Sequence, residues 1–113
     1  MAEFERITQD IRDIEKEIAR KGIVLGIDWS DTAQVRQLAH EAIYHHAEAV
    51  RQVAGAEVPD YRLMAKVDLF GLAASMLRIM QDSAEDGVAA HGGPIWKALA
   101  KALWAEAEGK IER

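Results

Sequence analysis

The run His40-Glu41-Ala42-Ile43-Tyr44-His45-His46 holds three of the chain's four histidines. Imidazole and carboxylate groups bind zinc and move protons near neutral pH. A zinc-protease helix sets two histidines four residues apart so that both point at one ion. His40 and His45 are five apart, about 140° around a helix, and diverge. That motif is therefore rejected. Glu41, His45 and Glu48 fit helical geometry better, lying within about 60° of one face. They are weak candidates for a divalent ion. Metal-binding bundles also need matching ligands from the other helices. Asp68, Asp82, His91 and Glu106 are what the chain offers there. The expectation is no metal and no cofactor, and a solvated acidic face. His46 lies on the apolar face and is expected in the core, hydrogen-bonded.

His91-Gly92-Gly93-Pro94 precedes a helix start, where backbone amides could hold an anion. A phosphate loop would add a lysine and a hydroxyl at set spacing. Only Lys97 follows, so a plain turn is the expectation. The serines, Ser30, Ser75 and Ser83, read as a cap, a packing residue and a helix-end residue. There is no cysteine, which removes thiolate chemistry and disulfides. No nucleophile–base pair and no carboxylate pair in an apolar setting can be argued.

The elements that must position these groups are helical. Alanine supplies 20 of the 113 residues and is the best helix former. The longest apolar stretch, 59–82, covers roughly 200° of a helical surface. A peripheral helix shows only ~100°, so this one should be central. Its remaining stripe, Asp68, Gly71, Ser75, Arg78 and Asp82, is small and polar, with Arg78 placed to pair with Asp82. Phe4, Ile7, Ile11, Ile14 and Ile18 form a stripe about 80° wide on a helix over 2–21. Such a stripe suits either a neighbour within the chain or a dimer seam. Gly22 is placed to end that helix, Ser30 to cap a second over 31–54, and Pro94 to open a last one over 94–111. Residues 83–94 read as a mobile glycine-rich loop. The expected fold is all-α: a small antiparallel four-helix bundle in a single domain over residues 1–113, up-down-up-down.

The connector 22–30 is unusually apolar. Ile23, Leu25, Ile27 and Trp29 are the first candidates for partner contact, and Tyr44 and His45 on the second helix come next. The competing expectation for the connector is a lid on the core. The formal net charge of −5 argues against direct nucleic-acid binding, which needs a basic patch, and suits a basic protein partner. No run is long enough to span a membrane. The charged N-terminus does not read as a leader, and a cytoplasmic location is expected. The expected function is non-enzymatic protein–protein interaction by a small acidic adaptor, inhibitor or regulatory subunit. The protein would be a monomer, or a homodimer through its first helix. The alternative is a ligand- or metal-binding helical bundle, with or without enzymatic activity.

Overall fold

Five helices account for nearly all of residues 2–85 and 92–112, the part that the computed structural model describes: α1 (Ala2–Leu25), α2 (Thr32–Tyr44), α3 (His46–Gly55), α4 (Tyr61–Glu85) and α5 (Pro94–Glu112). No strand occurs among the described residues. The all-α expectation holds, with five helices where four were expected. Residues 86–91, the centre of the expected mobile loop and the site of His91, lie outside the described part.

Several helix ends differ from expectation, each for a local reason. The first helix runs on through Gly22 and stops at Gly26, whose φ of +69° is open to glycine without strain. The Gly26 and Ile27 amides donate back to the Ile23 and Gly22 carbonyls at 3.2 and 2.9 Å, a Schellman closure. Gly22 has another task. A Cβ there would lie 2.9 Å from the Trp29 ring, so the indole rests directly on the α1 backbone. Asp31, not Ser30, caps α2 by accepting from the Gln34 amide. Pro59 stays outside α4, and Asp60 accepts from the Leu63 amide at 3.0 Å to start that helix.

The expected second helix breaks at His45, whose φ of −123° and ψ of 12° leave the helical basin. Residues 43–46 are β-branched or aromatic and favour helix weakly. The rings of His40 and Tyr44 stand 4.7 Å apart on the exposed side, while His46 turns its edge to Phe70. His46 is consequently half-buried, not a core residue as expected.

This break decides the topology. Arg62 at the start of α4 reaches the last carbonyls of α1, and Lys21 pairs with Asp68, so α1 and α4 run in opposite directions. Leu38 shares a cleft with Leu63, Glu41 pairs with Lys66, and Ile43 borders Ala73. Helices α2 and α4 therefore run the same way, which an up-down-up-down order does not allow. The short α3 crosses back over the first half of α4 and undoes the advance made along α2, about 20 Å.

One cluster of buried residues forms the core, with Ile18, Leu69, Phe70, Met76, Trp96, Leu99 and Leu103 nearly inaccessible. Ile7, Ile11, Ile14 and Ile18 of α1 all pack into or against it, so this stripe is used within the chain. The expected Arg78–Asp82 pair is not among the ion pairs of the described residues. Helix α5 starts on a side chain from α1: the Glu15 carboxylate accepts from the Gly93 and Trp96 amides at 2.9 and 2.8 Å. The candidate anion position at this helix start is thus filled by the protein's own carboxylate. A Cβ on Gly93 would lie 2.8 Å from it.

Two stability outcomes follow from this packing. Glu15→Ala should cost about 0.5–2 kcal/mol, the range for a lost helix N-cap, read from urea unfolding. Trp29→Ala should cost about 1–3 kcal/mol, less than the roughly 3–5 of a fully buried tryptophan, because its ring is only partly covered. A change within about 0.5 kcal/mol for either, the scale of an ordinary surface substitution, would show that the contact holds nothing.

Candidate functional site

Where α1 stops and α4 starts, large apolar side chains stand in solvent: Ile23 82%, Val24 53%, Val58 76%, Tyr61 75% and Met64 39% exposed. Their local causes differ. Ile23 and Val24 belong to the turn of α1 that continues past Gly22, opposite or beside the buried Leu25. Tyr61 and Met64 are three apart on the first turn of α4, hence on one face. The Arg62 guanidinium donates to the Leu25 carbonyl at 3.0 Å and locks the two helix ends together. The positive group suits the negative end of the α1 dipole. Scattered exposed hydrophobics are ordinary, but a contiguous cluster marks a contact surface.

Carboxylates rim this end. Asp28, Asp31, Glu57 and Asp60 stand against the single cation Arg62 between residues 22–34 and 55–64, and Arg62 is committed to carbonyl oxygens. The Ser30 hydroxyl and amide hold the Asp28 carboxyl below its usual range. On the other flank of α4 lies a cleft of about 430 Å³, floored by Leu25, Ile27, Leu38 and Leu63. The Glu41–Lys66 pair at 3.2 Å closes its far side.

Of the candidate partner residues on the connector, Ile23 faces outward. Leu25 is buried, and Ile27 and Trp29 pack against the core, so the segment is not one continuous surface. Tyr44 and His45 are exposed at the α2–α3 corner, some distance along α2 from the exposed end. The weak metal candidates do not converge. Glu41 is held by Lys66, and His45 has Glu48 alone at 3.6 Å. No group of three His, Asp or Glu side chains among the described residues could hold an ion.

Val58, Tyr61 and Met64 escaped the sequence reading, because Tyr61 falls inside the 200° apolar arc of α4 and was expected to be covered. The available signal was position. The first turn of a helix behind a proline projects past the layer of neighbours that covers its middle.

A separate polar cluster ties α2 to α5. Glu106 is held below its usual range, mainly by the Arg36 guanidinium at 2.6 Å, with His40 at 3.2 Å adding to it. Its folded pKa lies below the unfolded one, so its stabilisation is present above the unfolded value and is lost as pH falls through the folded value. Glu106→Gln should lower stability at pH 7 by up to about 1 kcal/mol, the scale of an exposed pair. That deficit should vanish under acid conditions where Glu106 is protonated in both the folded and the unfolded state, as followed by denaturant midpoints across pH. An unchanging deficit would assign the effect to packing.

Compared with protein-family models, with curated proteins and with solved structures, the chain matches none.

Proposed function

We propose that the protein is a protein-interaction module that docks a partner at the α1–α4 end. The observation that carries this is the cluster of exposed Ile23, Val24, Val58, Tyr61 and Met64 on an otherwise well-packed molecule. Tyrosine and methionine are enriched in the centres of interfaces. The acidic rim sets the sign of the partner: a basic surface would be drawn in by the surrounding field and oriented by it. On this reading α1, α2, α4 and α5 act as the scaffold, with α3 laid across it. Its role is that of an adaptor, inhibitor or regulatory subunit.

A ligand-binding reading has one observation of its own, the cleft between α2 and α4. Its volume of about 430 Å³ is within the roughly 300–1,000 Å³ of small-molecule sites. It has an apolar floor, yet its lysine and one of its carboxylates are already paired with each other. That leaves few polar groups free to fix a ligand.

The double variant Tyr61→Ser/Met64→Ser should leave the fold within about 0.5 kcal/mol of wild type, as exposed positions do, and abolish capture of a salt-sensitive partner. Val50→Ser on α3, also exposed, should keep that partner. Equal capture by all three proteins would remove this end as the contact surface. A melting temperature raised by a metabolite or metal, with no partner found, would favour the ligand reading.

A further inference from the structure

We propose that the cleft between the second half of α4 and the α2–α3 corner binds a small aliphatic monocarboxylic acid, with its carboxylate on Arg78 and its hydrocarbon body on an apolar floor. The site is independent of the readings above, because its residues lie in a different half of α4 from Tyr61 and Met64. The break at His45 creates it. Helix α3 turns there and packs over Leu63, Lys66 and Phe70. Of α3, only the first residue, His46, lines the cleft beside Ala73, Leu77 and Gln81. The space left is about 390 Å³, within the roughly 300–1,000 Å³ of small-molecule sites. Its floor is apolar: Ala42, Ala73 and Leu103 are buried, and Ile43 and Leu77 are half-buried.

The charge of this cleft departs from that of the rest of the surface. The chain carries a formal net charge of −5. Three other depressions are each lined by two carboxylates: Glu41 with Asp60, Glu41 with Glu48, and Glu17 with Asp68. No carboxylate lines the cleft at Arg78. Arg78 forms no ion pair among the described residues, whereas the lysine of the larger α2–α4 cleft is committed to Glu41. Arg78 and Gln81 stand three apart on one face of α4. His46 lines the cleft from the α2–α3 side, its ring edge-on to Phe70 at 6.0 Å between centroids. Neither His46 nor Gln81 makes a side-chain hydrogen bond among the described residues. Three donor groups thus line one cleft without an acceptor of their own.

This set selects the ligand class. A guanidinium presents two parallel N–H groups that match the two oxygens of a carboxylate. The Gln81 amide and the His46 ring each carry an N–H besides. One cation suits one negative charge. A phosphate dianion would be left half-neutralised, since no lysine and no second arginine line the cleft. The floor selects the remainder of the molecule. Each methylene that covers Ala73, Leu77 and Leu103 takes further apolar surface out of water. A free aliphatic acid of medium length combines the two requirements.

Octanoate is the probe, with 1-octanol and octylamine as neutral and cationic forms of the same chain. In calorimetric titrations at neutral pH, octanoate should saturate a single site with a Kd below about 1 mM, and the other two should bind at least about tenfold more weakly. Arg78→Gln should weaken octanoate about tenfold, and Arg78→Lys, which keeps the charge but not the paired N–H groups, should weaken it less. Arg78 is exposed, so neither change should move the melting temperature. Ala74→Phe, at an exposed position on the rim, should fill the cleft and abolish binding. Tyr61→Ser/Met64→Ser should bind octanoate as wild type does. Absence of saturable binding, equal affinity for the three probes, or octanoate binding indifferent to Arg78→Gln overturns the proposal. Inorganic phosphate binding more tightly than octanoate overturns the ligand class. Octanoate binding that persists in Ala74→Phe, or is lost in Tyr61→Ser/Met64→Ser, puts the probe elsewhere and overturns the site.

Discussion

The last turn of α1 carries the constraint on which the other helices depend. Its terminal carbonyls have no intrahelical donors, and two devices answer them. Gly26 and Ile27 fold back onto Ile23 and Gly22, and Arg62 reaches in from α4 to the Val24 and Leu25 carbonyls. Once Arg62 is committed there, α4 must begin where α1 ends and run back along it. Helix α2 begins at the same place, after a six-residue link. Two successive long helices thus start from one end, and the chain needs α3 to get back to it.

Residue types made the helices legible, since alanine content and three–four periodicity act locally. The Ile7–Ile18 stripe, the apolar arc of α4 and Pro94 at the head of α5 were all readable. Ends were less so, because two glycines stand four residues apart and only tertiary contact separates their roles. Gly22 lies under Trp29, whereas Gly26 takes the left-handed turn. A sequence pattern cannot show that an indole arrives from seven residues on. The corner at His45 was hidden for a similar reason. No proline or glycine marks it, and its cause combines weak local propensity with ring contacts to His40, Tyr44 and Phe70.

The candidate surface was half legible. Excess apolar character near residues 22–30 was visible, and it does sit at the exposed end. Which of those residues face out depends on helical phase, and the phase moved when α1 ran four residues further than expected. Ile23 turned out and Leu25 turned in. The α4 contribution was missed, because coverage of a helix is set by where its neighbours stop. Likewise the Glu15 carboxylate at the start of α5 joins residues nearly eighty positions apart, which no local spacing reveals.

The α3 segment leaves the molecule with uneven cohesion. Its ten residues contribute Ala49 alone to the buried set, and a helix that short does not hold itself together in water, where ~12–15 residues are already marginal. The long helices share the rest of the core. Separate opening therefore belongs to α3 in preference to any other helix: the stretch can detach at low free energy while α1, α2, α4 and α5 stay assembled. Each opening uncovers the Phe70 ring, buried to 1% exposure in the closed form. Such an opening would set an aromatic floor in contact with water, and the amides of residues 46–55 are those expected to exchange through it.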